Sequence, residues 1–234
     1  MHAIKSPRLQ MVMREVSMSK KIQLDIISDV VCPWCVIGYK NLQLAIDQLN
    51  IADKVELHWQ PFELNPNMPP EGQNLQEHII EKYGSSVEDS HQTRINLSER
   101  GLQVGFTFNF FDEMKMVNTR DAHILLEYAH QCAKQTKLKL RLFSAIFTEQ
   151  KDISDRDTLL EEAAQVGLDI VEAKTRLEDE TYRKEVVQQE LYWQQLGVSA
   201  VPTIVFNRSS AMSGAQSVEV YKEVLTELLA KEPL

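Results

Sequence analysis

The sequence predicts an α/β fold in which a long helical segment interrupts one sheet. Near the start, the hydrophobic period changes from two residues to about three and a half and back again, which is typical of a strand, a helix and a second strand. From Leu75 to Leu196 the helical period dominates, and strand patterns return after Gly197. The first and last parts of the chain are therefore expected to share one sheet, which the helical segment separates.

The first strand is predicted at residues 22–27, where apolar side chains alternate with polar ones. A helix follows, because apolar residues recur at helical spacing from Cys35 to Leu49. Pro33 suits the first turn of this helix, where a missing N–H has no cost. Residues 55–59 alternate again and predict a second strand. Two strands joined through a helix should lie parallel.

The helical segment is predicted to follow residues 66–72, a turn-rich stretch of Pro, Asn and Gly. Helix starts are indicated at residues 118–119 and 154–155, where short polar side chains can cap a helix. The aromatic stretch at residues 105–111 alternates with polar residues and is either a strand or an extended loop. The segment is thus expected to be mainly helical.

The end of the chain returns to strand patterns. We predict a strand at residues 203–206, a partner strand through Met212, and a final helix with an apolar stripe at residues 221–229. The predicted parts are a flexible N-terminal arm at residues 1–20, a sheet domain at residues 21–68 and 197–234, and an inserted helical domain at residues 69–196.

Charge and hydropathy exclude some partners. The formal net charge of -9 disfavours binding to nucleic acid or to an anionic membrane surface. The apolar runs fall short of the roughly 18 residues that span a bilayer. The first residues lack the continuous apolar stretch of a secretory signal. We therefore expect a cytoplasmic protein that binds neither nucleic acid nor membrane.

The chain has three cysteines, and two of them form the motif Cys32-Pro33-Trp34-Cys35. The pair lies where a strand becomes a helix, so the helix N-terminus should favour a thiolate at Cys32 and make it the nucleophile. Cys35, one turn inside the helix, suits a resolving thiol. A zinc site would need two further ligands at suitable spacing, and the sequence offers none, so no metal is expected.

Residues beside the pair are candidates for supporting roles. Pro33 and Trp34 should tune the pKa and exposure of the thiols, and Trp34 either forms an apolar lip for a client or packs beside the cysteines. Asp29 either shuttles a proton or caps its loop. Cys132 is expected to be a buried, inert thiol rather than a redox-active one, since it lies on the same helical face as Ala122, Leu125 and Ala129.

Two histidines are interpreted as structural rather than catalytic. His123 lies near a helix start and is expected to form a hydrogen bond within the protein. His58 lies on the polar face of its strand and is expected to be exposed.

Several short motifs occur together in a fixed order. They are Ser-Asp-Val-Val-Cys-Pro-Trp-Cys at residues 28–35, Phe-Glu-Leu-Asn-Pro at 62–66, Asn-Thr at 118–119 with Ala-His at 122–123, Gly-Val at 197–198, Val-Pro-Thr at 201–203 and Ser-Gly-Ala-Gln at 213–216. Together they resemble the FrnE-like branch of the DsbA family over roughly residues 22–229.

The resemblance implies a thioredoxin-like fold with a large inserted helical domain. It also implies that Pro202 is cis beside the thiols, which would expose the backbone of Val201 to a substrate peptide. In relatives that bind glutathione, the regions matching Asn65 and Gln216 approach the tripeptide, so both residues are candidate substrate contacts. No bound cofactor is implied, and glutathione and thioredoxin are the candidate electron partners.

The function predicted is a thiol-disulfide oxidoreductase or isomerase that acts on protein or peptide thiols and disulfides by Cys32 attack and Cys35 resolution. One alternative is a glutathione-dependent transferase or isomerase of the kappa or 2-hydroxychromene-2-carboxylate isomerase type, which has Ser in place of Cys32. A second alternative is a non-enzymatic holdase that binds clients through the helical segment and Trp34.

Overall fold

A strand-helix-strand unit begins the described part of the chain. The computed structural model describes residues 21–231, so the predicted arm at residues 1–20 lies outside the described residues. Strand β1 (Ile22–Ser28), helix α1 (Pro33–Leu49) and strand β2 (Val55–Pro61) follow in order. β1 and β2 pair in parallel along their whole length, as the sequence predicted.

Two later strands complete the sheet. Strands β5 (Thr203–Phe206) and β6 (Ser210–Ser213) join it antiparallel, giving the order β2-β1-β5-β6. Helix α9 (Val218–Lys231) packs against α1 through fully buried side chains such as Tyr221. We call β1, α1, β2, β5, β6 and α9 the sheet unit. Its inner strand β1 is almost entirely buried, which agrees with its apolar sequence.

Seven helices and a two-stranded ribbon lie between β2 and β5 and are called the helical segment. They are β3 (Gln73–Asn74), α2 (Leu75–Tyr83), α3 (Val87–Gln103), β4 (Lys115–Met116), α4 (Arg120–Gln131), α5 (Gln135–Phe147), α6 (Arg156–Gln165), α7 (Ile170–Glu178) and α8 (Glu180–Gln195). The predicted starts of α4 and α6 are confirmed, and the Asp155 side chain accepts from two N–H groups of α6. Within residues 21–231, no helix is both long and apolar enough to cross a membrane.

The aromatic stretch at residues 105–111 is an extended loop, which resolves the alternative left open by the sequence. Its phenylalanine rings pack on one another and on Phe147 of α5, with ring centroids 5.2 Å apart for Phe108 and Phe147. The alternation that resembled a strand therefore reflects side-chain burial against α3 and α5 without a partner strand.

The helical segment is attached to the edge strand of the sheet. The Trp59 N–H of β2 donates to the Gln135 side chain at 3.0 Å, and the Gln135 amide donates back to the Trp59 carbonyl at 2.9 Å. The Gln135 side chain of α5 thus forms hydrogen bonds with backbone groups of β2 that an edge strand would otherwise leave without partners. The Trp59 ring packs between Tyr39 and Phe143. The domain boundaries at residues 68/69 and 196/197 stay predictions.

Candidate active site

Cys32 lies at the junction of the β1 loop and α1. It is the residue before the first helical residue, with an extended backbone, and Pro33 occupies the first turn as predicted. Its side chain is 5% exposed, and its sulfur lies 3.9 Å from the Val201 carbonyl oxygen. Cys35, in the first turn of α1, is 1% exposed. Cys32 is therefore the more accessible thiol of a reduced, closely spaced pair.

The two thiols affect each other's protonation. The neighbouring Cys35 thiol, together with burial, raises the pKa of Cys32 well above its usual value. Burial also acts to raise the pKa of Cys35, but the neighbouring Cys32 thiol and the charge of Lys139 lower it overall. The thiolate expected at Cys32 stays a prediction, because the proton is shared by the pair and does not belong to one sulfur alone. Cys32 becomes the nucleophile when the shared proton moves to Cys35.

The loop before β5 faces the thiols. The Val201–Pro202 peptide bond is cis, Val201 is half-buried and Pro202 is buried. A Cβ added to Gly38 of α1 would lie 3.1 Å from the Pro202 ring and 3.4 Å from the Ala215 backbone. The absence of a side chain at Gly38 thus lets α1 approach this loop closely, which holds Val201 beside Cys32.

A buried ionisable layer lies behind the pair. Asp29 is fully buried, accepts the Leu64 N–H at 2.7 Å and has His123 Nε2 at 3.4 Å. The last contact is electrostatic, since neither atom has a hydrogen-bond partner among the described residues. Burial acts to raise the pKa of Asp29, but His123 and the Leu64 N–H lower it overall. Asp29 is thus an ionised buried group rather than only a loop cap.

Lys139 of α5 brings a cation to the same layer. Its side chain is 1% exposed, and its Nζ donates to the Ser28 carbonyl at 3.2 Å and lies 5.3 Å from the centre of the Trp59 ring. Burial lowers its pKa to about 8, although the charges of Cys35 and Asp29 act to raise it. At neutral pH Lys139 is therefore a buried positive charge that favours a thiolate in the pair.

Two further carboxylates extend the layer. Glu63 accepts from Arg120 at 2.7 Å, and its N–H donates to the Glu190 carboxylate at 2.6 Å. Burial, together with the nearby charge of Glu63, raises the pKa of Glu190 to about 8. The side chains of α4, α5 and α8 thus supply most of the ionisable groups behind the thiols.

A cavity of about 330 Å³ opens on the other face of Cys32. The sheet unit contributes Cys32, Trp34 and Val201 to its lining, and α2 and α3 form the opposite wall. The remaining lining residues are mainly apolar. Trp34 is 39% exposed, and its ring lies 5.6 Å from the Arg100 guanidinium of α3. Trp34 therefore lies at the junction of α1 and α3, and both uses considered for it stay predictions.

Asn65 and Gln216 lie away from this lining. The Asn65 side-chain oxygen accepts from Lys82 at 2.6 Å, and the Gln216 amide donates to the Ser213 carbonyl at 2.8 Å. Of the three predicted substrate contacts, the structure brings only Val201 to the cavity beside Cys32. The roles of Asn65 and Gln216 stay predictions.

Other expectations need correction. Cys132 is half-buried rather than buried, because it follows the last turn of α4. The His58 side chain is 22% exposed rather than open to solvent, since it lies 3.1 Å from Glu56 and packs against His130. Within residues 21–231, no group of three or more His, Cys, Asp or Glu side chains is placed to hold a metal.

Lys139 and Arg94 were missed in the sequence. Lys139 shares a helical face with Leu142, Phe143 and Ile146, and a lysine on an apolar stripe indicates a buried charge. The position of Lys139 on this apolar face could therefore have been recognised from the sequence. Arg94 of α3 carries no such signal, because its helix is polar and nothing in its spacing indicates that it lines a cavity.

The fold and this site define a thioredoxin-fold protein with a paired-cysteine centre. The chain belongs to the DSBA-like thioredoxin domain family, whose model matches residues 23–226. The predicted fold, thioredoxin-like with a large helical insertion, is thereby confirmed.

Three similar proteins illustrate the relationship. The uncharacterized protein YwbO of Bacillus subtilis (strain 168) is 28% identical over 208 residues, covering 88% of this chain and 96% of that protein. The crystal structure of a probable DsbA oxidoreductase from Streptomyces coelicolor has 30% identity and a TM-score of 0.85, covering 91% of this chain and 92% of that chain. The cytosolic disulfide reductase DsbM of Pseudomonas aeruginosa, solved with GSH, has 16% identity and a TM-score of 0.62 over 89% of this chain and 99% of that chain. The last likeness shows the fold alone.

Proposed function

We propose that this protein is a thiol-disulfide oxidoreductase or isomerase with Cys32 as nucleophile and Cys35 as resolving thiol. One observation carries the proposal: two closely spaced thiols lie at the start of α1, with Cys32 just before the helix facing a cavity and Cys35 enclosed in the first turn. Only the accessible sulfur can meet a substrate, and only its neighbour can reach the resulting mixed disulfide.

The chemistry is two successive exchanges. The Cys32 thiolate attacks one sulfur of a substrate disulfide, so a Cys32–substrate bond forms and the other substrate sulfur leaves as a thiolate, which takes up a proton. Cys35 then attacks the Cys32 sulfur and releases the second substrate thiol. The protein ends with a Cys32–Cys35 disulfide, and the substrate has gained two electrons. Run in reverse, the same steps oxidise a dithiol. If another thiol of the substrate attacks the mixed disulfide before Cys35 does, a new substrate disulfide forms, the Cys32 thiolate is released, and the result is isomerisation.

The charges around the pair support this sequence. Lys139 stabilises the thiolate that forms on Cys35 when Cys32 is protonated, and on either sulfur during exchange. The carbonyl of Val201, 3.9 Å from the Cys32 sulfur, is placed to pair with substrate backbone. Asp29, behind Cys35, keeps Lys139 charged and is our candidate for proton exchange within the layer.

The finer assignments are part of the same proposal. Placement in the FrnE-like branch rests on the motifs around Cys32, Asn65, Pro202 and Gln216. A cytoplasmic location, with glutathione or thioredoxin as the electron partner, fits a chain whose fold is shared with a protein described as a cytosolic disulfide reductase and solved with GSH.

The test is a redox titration of the Cys32–Cys35 pair in glutathione buffers, followed by tryptophan fluorescence, since Trp34 adjoins both thiols. We expect one reversible two-electron transition that Cys32→Ser abolishes and that Cys132→Ser, the matched control, leaves unchanged. Thiols that titrate one at a time would contradict the proposal. They would favour the glutathione-dependent transferase, or the holdase if client binding survived loss of both cysteines.

A further inference from the structure

We infer that the cavity beside Cys32 binds a small organic disulfide that has an apolar body and a carboxylate. This inference rests on the proposed function and specifies the substrate class of the same thiol. Its basis is the shape, charge and unmet hydrogen bonds of the cavity wall opposite Cys32.

The size and walls of the cavity fit a small molecule. Its volume of about 330 Å³ lies in the range of roughly 300–1,000 Å³ that small-molecule sites occupy. Most of the lining is apolar, including Leu75 and Ile79 of α2, Leu97 of α3 and Phe110 of the aromatic loop. The substrate body should therefore be aromatic or aliphatic, since a polar one would lose its hydration without compensation.

The charged lining residues have one sign. Arg94 of α3 and Lys115 of β4 line the cavity, and no carboxylate does so among residues 21–231. This contrasts with the formal net charge of -9 for the whole chain. The cavity is thus a locally positive, largely apolar space in an acidic protein, and it favours an anionic group on the ligand.

Two buried polar atoms of α3 have unmet hydrogen bonds. Ser90 is 2% exposed and lines the cavity, yet its hydroxyl has no partner among the described residues. Arg94 is held by a bond from its Nη2 to the Gln76 side chain at 2.9 Å, while its buried Nε has no partner there. Buried donors without acceptors are costly, so a ligand carboxylate that accepts from Arg94 and Ser90 would remove that cost.

The position of Cys32 on the same cavity specifies the reacting group. A disulfide placed at this sulfur is attacked by the Cys32 thiolate, which forms a mixed disulfide and expels one carboxylate-bearing thiolate. Cys35 then displaces the second as in the proposed mechanism, so two electrons pass from the protein dithiol to the small disulfide. No other reactant is needed for this single turnover.

The inference is tested by single-turnover reduction of 3,3′-dithiodibenzoate and of its dimethyl ester by the reduced protein. Each rate is divided by the rate of the same compound with mercaptoethanol, which removes intrinsic reactivity. We expect saturable reduction of the acid and about a tenfold preference for it over the ester at low concentration, the size of one charged hydrogen bond. Arg94→Gln should reduce the preference to near one.

Lys137→Gln is the control. It removes one positive charge from an exposed position on α5 that does not line the cavity, so the preference should survive. Equal normalised rates for acid and ester in the wild type, or faster reduction of glutathione disulfide or of a cystine peptide than of the acid, would overturn the inference while leaving dithiol exchange intact.

A second measurement does not depend on exchange. Calorimetric titration of 3-mercaptobenzoate into the Cys32→Ser, Cys35→Ser double variant should show binding that Arg94→Gln weakens about tenfold. Absence of binding would contradict the cavity assignment even if the redox transition is present. Binding without any redox transition would support the cavity and contradict the proposed function.

Discussion

The two faces of the thiol pair differ in chemistry. On the cavity face, Cys32 meets an apolar space whose charged groups are the cations Arg94 and Lys115. On the interior face, Cys35 meets a closed layer of ionisable groups that includes Asp29 and Lys139. The cavity face has room for a ligand, whereas the interior layer is buried.

Recognition and proton handling are thus separated in space, although the helical segment serves both. Helices α2 and α3 form the cavity wall, whereas α4 and α5 carry His123 and Lys139 to the interior. The insertion is thus part of the active site on both faces. Changes on one face should leave the property of the other face unaltered, and this can be tested.

The largest effect is expected from Lys139→Met, which removes the buried cation beside the pair. The variant has less thiolate at a given pH, because a nearby positive charge lowers thiol pKa. We expect the rate of alkylation by iodoacetamide at pH 7 to fall about tenfold, with the pH profile displaced to higher pH. The preference for dithiodibenzoate over its ester should be unchanged, whereas Arg94→Gln should alter the preference and leave the pH profile in place.

Lys137→Met is the control for this change, because Lys137 is an exposed lysine two residues away on α5. The Lys137→Met variant should be alkylated by iodoacetamide at the same rate as the wild type. An unshifted pH profile in Lys139→Met would contradict an electrostatic role for the interior layer.

A smaller effect is expected from Glu190→Gln. The pKa of Glu190 is raised from 4.5 to about 8, so between these values the folded protein holds a proton that the unfolded chain has lost. Wild-type stability should therefore fall as pH rises from about 5 to 8, and Gln, which mimics the protonated acid, should prevent this. We expect a gain of about 1–2 kcal/mol at pH 8 after solvent screening, and almost none at pH 5.

Urea unfolding at both pH values measures this difference. Glu185→Gln, on the exposed face of the same helix, should show no such dependence. If the free energy of unfolding of Glu190→Gln differs from that of the wild type by the same amount at pH 5 and pH 8, the Glu190 carboxyl is ionised throughout this range. Its surroundings then do not raise its pKa, which would contradict the prediction.

Local patterns predicted much of the fold. The change of hydrophobic period across β1, α1 and β2 depends only on neighbouring residues. The position of Cys32 before Pro33 likewise indicates a nucleophile at a helix start. The resemblance added the loop at Pro202, which lies far away in sequence. These features depend on short-range signals or on motifs, and both can be read from one chain.

The protonation of the thiols could not be predicted from local patterns. It depends on Lys139, which lies about a hundred residues from Cys35 in the chain and reaches it only after α5 packs on β2. The cavity likewise depends on how α3 lies against Trp34, and the sequence of a polar surface helix does not specify that placement. Long-range packing therefore decides which side chains complete the site.

Attack by Cys32 and resolution by Cys35 leave different products in a variant that lacks the second thiol. The measurement is the intact mass of the Cys35→Ser variant after reaction with dithiodibenzoate, followed by peptide mapping. We expect one stable adduct, on Cys32, that wild-type protein does not accumulate because Cys35 releases it. An adduct on Cys132, or a stable adduct on wild-type Cys32, would contradict these roles.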